Sequence, residues 1–446
     1  MIFETFIPTP KPQDILNPEV QEQTRRISNE ADFIFFLPYS GLRAFVKEGS
    51  IYSQTARHFN VWRTSELKQL GYLSALGSNL DDKYFTTFKH DRFDHMLVTA
   101  AINEAVLRGA NLPEQQIRTG IVAGMIHDTA MPAGGDAMKL LEPDALSEED
   151  HWKDVATEKD WQFLKDNNLC PEEIDRAIHN EGIVGDVLDK ADRLSYTMKD
   201  LFNLGASARQ PHRLITREWQ MYHPYDPYYT DFDDIINEDP NVGDIYKEIG
   251  IDCPTGEVYF SDQDRLGRFL KLRAMMTQRV YSHPVNQGRD QMLVAIVRPL
   301  YGKQIDAQML RTMTDKDLDL VVGKYYRDKD AGVDITDWRF GQWKASFRRF
   351  ETKDEACQFE SELRQGDQQL VIGQKRVKSF QTGEAYLVQT EHGRLPFGEV
   401  DQKTAADLSV ISKQNVGHYV YFVDGSEDTP TNRLLRLISN EVPAAA

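Results

Sequence analysis

RFDHMLVTAAINEAVLRGAN, residues Arg92 to Asn111, reads as a helix in which Phe93, Met96, Leu97, Ala100, Ala101 and Val106 recur near the helical period. His95 lies beside that apolar stripe. IRTGIVAGMIHD, Ile117 to Asp128, is an apolar run that delivers His127 and Asp128 at the C-terminal end of a buried helix. EGIVGDVLDKADRLSYTMKDL, Glu181 to Leu201, is a third helical stretch, with Val187, Leu188, Ala191, Leu194 and Met198 as its inner face. Asp192 falls close to that face, where an unpaired carboxylate would be costly. Each of these polar groups taken alone reads as an ordinary hydrogen-bonded side chain. The ordered set, a histidine, a His-Asp pair and an aspartate on separate apolar helices, reads as a metal site. His95, His127, Asp128 and Asp192 offer two imidazoles and two carboxylates, enough to hold a divalent ion while water or substrate takes the open positions. Such a mixed set suits manganese, iron, cobalt, magnesium or zinc.

The surroundings of this set resemble a known family. The pattern resembles the HD-domain metal-dependent phosphohydrolases, and within them the deoxynucleoside-triphosphate triphosphohydrolase branch, from about Arg63 to Tyr326. RTSELKQLG (Arg63 to Gly71) is similar to the segment before that branch's first metal histidine, and HDRFDH (His90 to His95) to its HTRFEH. ADRLSYTMKD (Ala191 to Asp200) is similar to its metal aspartate, tyrosine and second aspartate. LRAMMTQRVYSHP (Leu272 to Pro284) is similar to its arginine and tyrosine helix.

The resemblance implies a mainly α fold, an HD-domain helical core, and release of a nucleoside and intact triphosphate when water attacks the α-phosphorus. It implies that Gln69 contacts the sugar 3′-hydroxyl with Asp200 as its carboxylate partner. Tyr196 would lie against the sugar and disfavour a ribose 2′-hydroxyl. Arg92, Arg193 and Arg273 would contact phosphates, and Tyr281 would line the substrate pocket. A homo-oligomer and a regulatory nucleotide between subunits are also implied.

One departure bears on the chemistry. The branch has a Gly-His-Pro segment and a second histidine after its HD pair, whereas HDTAMPAGGDA places Met131 and Asp136 there. Met131 can neither donate a proton nor bond a phosphate. His151, in EEDHWKD, stands near a later catalytic histidine of the branch and is expected to protonate the leaving oxygen, with a second-metal site shared with Asp128 and a plain surface position as its other readings. In other HD branches extra histidines bind a second metal, a role open to His151 with His179. The substrate alternatives are therefore another nucleotide or phosphoester, or a nucleotide-binding regulatory protein without turnover.

The 446 residues divide, on pattern, into three parts. Residues 1–60 read as an N-terminal arm with a helix at Pro18 to Ala31. Residues 61–330 read as the helical phosphohydrolase domain, with an inserted loop region near 211–260 around MYHPYDPYYTDFDD. Residues 331–446 read as a small α+β domain, from the β-rich QQLVIGQKRVKSF, EAYLVQT and GHYVYFVD and the helical LLRLIS. His392 and His418 in that part read as structural or exposed.

A formal charge of −18 argues against a nucleic-acid-binding surface. It leaves room for a local basic pocket built by Arg92, Arg193, Lys199, Arg273 and Arg279. Three cysteines, Cys170, Cys253 and Cys357, lack metal-type spacing and suit a reducing cytoplasm. FIFFLPY (Phe33 to Tyr39) is too short to span a bilayer, so no membrane partner is expected.

Overall fold

The computed structural model describes residues 31–67, 91–201, 235–236, 238–329, 346–366, 369–383, 385–426 and 430–441. The architecture is mainly α with small sheets at its edges. The apolar FIFFLPY segment begins as a strand: β1 (Ala31–Phe36) pairs antiparallel with β2 (Arg43–Lys47). Of the helix expected at Pro18 to Ala31, only Ala31 is described, and it opens this strand.

The three decisive stretches form the central helices α1 (Arg92–Gly109), α2 (Glu114–Ile126) and α3 (Gly182–Leu201). Asp91 starts α1, its side chain accepting the Asp94 amide at 2.9 Å, which satisfies one of the orphan donors of the first turn. α1 is buried on nearly every side, including Met96, Val98, Ala100, Ile102 and Leu107, as expected of a helix without a strong polar face. Small residues bring α1 and α2 close. A Cβ at Gly124 would meet the Ala100 Cα at 2.8 Å and its nitrogen at 3.0 Å. The Asn103 amide donates across the same contact to the Gly120 carbonyl.

The region expected as an inserted loop near 211–260 is structured where it is described. A 3₁₀ helix at Val242–Glu248 leads into the hairpin of β3 (Ile249–Asp252) and β4 (Glu257–Phe260). The tyrosine and aspartate density upstream hides this short alternation, in which Val258 and Phe260 turn inward. The tyrosine-rich stretch itself, within residues 202–234, lies outside the described residues.

Helix α4 (Gln263–Met276) widens into a π turn at Thr277–Tyr281 and is followed by α5 (Pro284–Val297). The last third mixes helices with β5 (Ser346–Phe350), β6 (Gln369–Val377), β7 (Leu387–Thr390), β8 (Gly393–Pro396) and β9 (Gly417–Asp424). Two sheets result, ordered β3-β4-β7-β8 and β5-β9-β6. β4 pairs in parallel with β7 through Tyr259 with Leu387 and Phe260 with Val388. Leu293 and Val297 of α5 share an apolar core with Val377 of β6 and with Tyr419 and Tyr421 of β9. Hydrogen bonds and core packing thus continue across the sequence position 330/331. No helix among the described residues is long and apolar enough to cross a membrane.

The α1–α2 contact makes a stability prediction. Gly124→Ala forces its methyl against backbone and should destabilise the protein by about 1–3 kcal/mol. Gly109→Ala, where nothing lies within 4 Å of the added carbon, should be neutral or stabilise by about 0.5–1 kcal/mol. Thermal melts of the two variants check this; equal midpoints would show that the helices separate at no cost.

Candidate functional site

His95 leaves α1 one turn after Arg92, so both face the same side of the helix. The Ser195 hydroxyl donates its one proton to the His95 carbonyl at 3.1 Å, so it can only accept from His95 Nδ1, 3.0 Å away. The ring proton therefore sits on Nδ1, and Nε2 turns a lone pair toward Asp192 Oδ1 at 2.9 Å and Asp128 Oδ2 at 4.0 Å. His127 is fixed the same way, its Nδ1 donating to the Gly124 carbonyl at 2.9 Å. Its Nε2 is buried without a hydrogen-bond partner, 3.4 Å from Asp192 Oδ1 and 3.7 Å from Asp128 Oδ1.

Two imidazole Nε2 atoms and two carboxylates facing one another in a buried cluster call for positive charge at its centre, carried by a proton or by a cation. Burial alone would lower the His127 imidazole, yet Asp128 and Asp192 outweigh it and raise its pKa to about 9. Burial would raise Asp128 and Asp192, but Arg92 and the two imidazoles hold Asp128 low, and the imidazoles hold Asp192 well below the carboxylate range. Ligand atoms of His95, His127 and Asp128 lie within 4.8 Å of one another. The donor set fits a divalent cation, with the orphaned His127 Nε2 as the clearest sign. The hydrogen bonds on the far ring nitrogens are the outer contacts that metal-binding histidines require.

A row of alternating charges runs from this cluster along the wall of a cavity of about 440 Å³. Arg92 donates to Asp128 at 2.5 Å and to Asp136 at 3.1 Å. Lys139 then joins Asp136 at 2.8 Å to Glu148 at 2.6 Å. Lys139 and Arg92 hold the Asp136 carboxyl well below its usual range, against burial. Burial pushes Glu148 the other way, to about 7, despite Lys139. Local backbone makes the row possible: Gly134, at a φ of 88° that other residues rarely adopt, turns the chain into the 3₁₀ helix Gly135–Leu140 that carries Asp136 and Lys139. The buried Arg63 guanidinium donates to the carbonyls of Thr129 and Met131, pinning the segment after the His-Asp pair.

The opposite wall comes from α3, α4 and the π turn. Tyr196, Asp200, Arg273, Thr277 and Tyr281 all line the cavity. Tyr281 donates to Asp200 at 2.6 Å; burial and that carboxylate raise its phenol well above the usual value, so it remains a donor. Arg273 is aimed by bonds to the Tyr196 hydroxyl and the Gln381 carbonyl. Asp290 of α5, Lys375 of β6 and Phe380 complete the enclosure, with Lys375 Nζ 3.7 Å from Asp290 Oδ2.

The structure thus gathers His95, His127, Asp128 and Asp192 with Arg92, and puts Tyr196, Asp200, Arg273 and Tyr281 around the same cavity. Arg193 stands apart: it bonds Asp189 at 2.7 Å and lines a second cavity, of about 280 Å³, behind Asp192 and Tyr196. His151, expected as the proton donor, is not on the main cavity wall. Its Nδ1 lies 2.7 Å from Asp154 Oδ2 and its Nε2 3.0 Å from the Asp144 carbonyl, so both nitrogens are engaged elsewhere in its own short loop. His179 bonds Asp150 and the Asp175 carbonyl. Gln69 lies outside the described residues. Sequence reasoning missed Glu148, Asp290, Lys375 and Phe380. Glu148 is three residues before His151, a signal within reach; the other three lie on elements far along the chain with no motif to mark them.

Metal content tests the cluster. Asp128→Ala and His95→Ala should each abolish stoichiometric divalent-metal binding while circular dichroism stays unchanged. Ser195→Ala, which removes the acceptor for His95 Nδ1 together with the bond to the His95 carbonyl, should weaken it about 10- to 100-fold. Elemental analysis and chelator competition read these effects; full metal in both ligand variants would remove the assignment.

No family model matches the chain, and no curated protein matches it. Solved structures do. The chain is similar to the crystal structure of a hypothetical protein from Aquifex aeolicus, with 18% sequence identity and a TM-score of 0.61, over 92% of this chain and 99% of the other. It is also similar to a phosphohydrolase from Bacteroides thetaiotaomicron, with 14% identity and a TM-score of 0.61, over 88% of this chain and 99% of that one. At such identities the likeness is one of fold, and the fold is shared with a phosphohydrolase.

Proposed function

We propose that this chain is an HD-domain, divalent-metal-dependent phosphohydrolase of deoxynucleoside triphosphates, releasing deoxynucleoside and triphosphate by hydrolysis at the α-phosphorus. The observation that carries the reading is the meeting, in one cavity, of the His95, Asp128 and Asp192 cluster with Arg92, Arg273 and Lys375. The shared fold with a phosphohydrolase supports it. A divalent cation held by His95, His127, Asp128 and Asp192 supplies Lewis acidity, lowering the pKa of water and neutralising charge on a phosphoryl oxygen.

The chain's own groups do the rest. Arg273, fixed by Tyr196 and the Gln381 carbonyl, and Lys375 offer positive charge to the phosphate tail. Tyr196 and Tyr281 meet edge to face at 5.9 Å and form an aromatic wall for a deoxyribose, with Asp200 bonded to Tyr281. Gln69 enters as the 3′-hydroxyl contact through the resemblance in sequence alone. A 2′-hydroxyl pressed against that wall would lose its hydrogen bonds. Homo-oligomerisation and a regulatory nucleotide belong to the same proposal, through the resemblance in sequence.

One observation favours a second reading. Met131 is buried in the cavity wall and Asp136 faces the cavity, where the resembling branch has histidines. A different nucleotide or phosphoester as substrate would accommodate that change.

Product analysis decides between them. The manganese-loaded protein should convert dNTPs to deoxynucleoside and inorganic triphosphate. An unpaired buried hydroxyl costs about 1–3 kcal/mol, so matched deoxy substrates should be preferred about tenfold or more over ribonucleotides. Release of orthophosphate or pyrophosphate would exclude α-phosphorus hydrolysis. Equal turnover of dGTP and GTP would exclude the tyrosine wall as a sugar filter, and no product from any phosphoester would leave a binding protein.

A further inference from the structure

Glu148 is a carboxyl with one satisfied oxygen and one idle one. Its Oε1 accepts from Lys139 Nζ at 2.6 Å, while its Oε2 is buried without a hydrogen-bond partner. It lines the same cavity as Asp128, Met131 and Asp136. A carboxylate leaves such an oxygen desolvated and unpaired, which is expensive. The acid form instead presents an O–H that needs an acceptor, and a phosphate in the cavity is one.

Charge balance along the wall points the same way. Asp128, Asp136 and Glu148 set three carboxylates against two cations, Arg92 and Lys139, and each cation is already shared between two of them. An ionised Glu148 leaves this row net negative and opposed to a polyphosphate. One proton on Glu148 makes it neutral. The groups facing Glu148 are Lys139 and Asp136 on the 3₁₀ helix Gly135–Leu140, with Asp128 after α2 and Arg92 at the start of α1 behind them. Lys139 and Arg92 favour the carboxylate; Asp136, Asp128 and burial favour the acid, and the balance lies at about 7.

We propose that Glu148 is the catalytic acid of this site: in its protonated form it hydrogen-bonds the phosphate tail and gives its proton to the departing 5′ oxygen. This rests on the phosphohydrolase reading above. The step balances. The water oxygen forms the new P–O bond, the P–O5′ bond breaks with its electron pair on O5′, and that oxygen takes the Glu148 proton. The proton lost by the attacking water restores the carboxyl. Glu148 thereby fills the place that Met131 cannot and that His151, bonded away from the cavity, does not.

The sign of the pH dependence follows. Burial and the Asp136 and Asp128 carboxylates raise Glu148 to about 7; a bound phosphate anion acts in the same direction and a bound cation in the opposite one, and the acid form prevails below the resulting value. Activity should therefore fall as pH rises through it, producing an alkaline limb that belongs to Glu148.

Glu148→Gln is the informative variant, because its amide oxygen still accepts from Lys139 and its amide group still donates, yet it carries no transferable proton. In the manganese-loaded protein it should lose about 10²–10⁴-fold in single-turnover rate, with KM little changed and the alkaline limb gone. A second readout needs no turnover. Calorimetry of inorganic triphosphate binding at about pH 8, in two buffers of different ionisation enthalpy, should show wild type taking up nearly one proton more than Glu148→Gln. A variant with wild-type rate and limb overturns the proposal, as does equal proton uptake or a wild type that does not bind triphosphate. If wild type takes up the extra proton but forms no product from any phosphoester, the hydrolase reading fails and the catalytic step with it.

Discussion

Asp128 is only 5% exposed, and a carboxylate so buried persists only where positive charge reaches it from several sides. The helices around it are arranged to provide that. Arg92 and His95 are three residues apart on α1 and so share a face, as Asp192, Ser195 and Tyr196 do on α3. α2 ends where His127 and Asp128 begin, at a depth set by the contact of Gly124 with Ala100. Arg92 takes one oxygen of Asp128, and the two imidazoles turn their Nε2 atoms toward the same centre. Moving any one helix outward would separate groups that only make sense together.

The helical core and the meeting of its buried histidines and aspartates were legible in the sequence because both follow a local rule. Apolar residues at helical spacing mark α1, α2 and α3, and the polar exceptions on those faces, His95, His127, Asp128 and Asp192, are conspicuous because burial without compensation is costly. Tyr196, Asp200, Arg273 and Tyr281 were legible through resemblance, and the structure sets them around one cavity. Other features obey no local rule. The parallel pairing of β4 with β7 joins residues more than a hundred positions apart, and nothing in EVYF or LVQT announces the partner. Lys375 and Phe380 reach the cavity only because β6, also far along the chain, packs on α5. His151 and Glu148 show a finer limit: a four-residue helical turn decides which of two titratable neighbours faces the cavity, and rotation by one turn's fraction is invisible to composition.

The cavity wall carries more negative than positive charge of its own. Asp128, Asp136, Glu148, Asp192, Asp200 and Asp290 line it, against Arg92, Arg273 and Lys375. Burial already pushes Asp290 up to about 6 and Glu148 to about 7, which relieves part of the excess by protonation. The remainder is not relieved by Arg92, whose two terminal nitrogens already bond Asp128 and Asp136. A pocket lined by one sign of charge concentrates the opposite ion and repels its own. On the proposed reaction, a polyphosphate therefore meets a repulsive surface until a divalent cation occupies the histidine–aspartate centre, and binding of metal before nucleotide is the order the charges impose. The same excess explains why Arg92 and Lys139, the cations nearest the centre, are salt-bridged: they hold the carboxylates in place, and on the proposed reaction the attraction for phosphate falls to the bound cation and to Arg273, with Lys375 shared with Asp290.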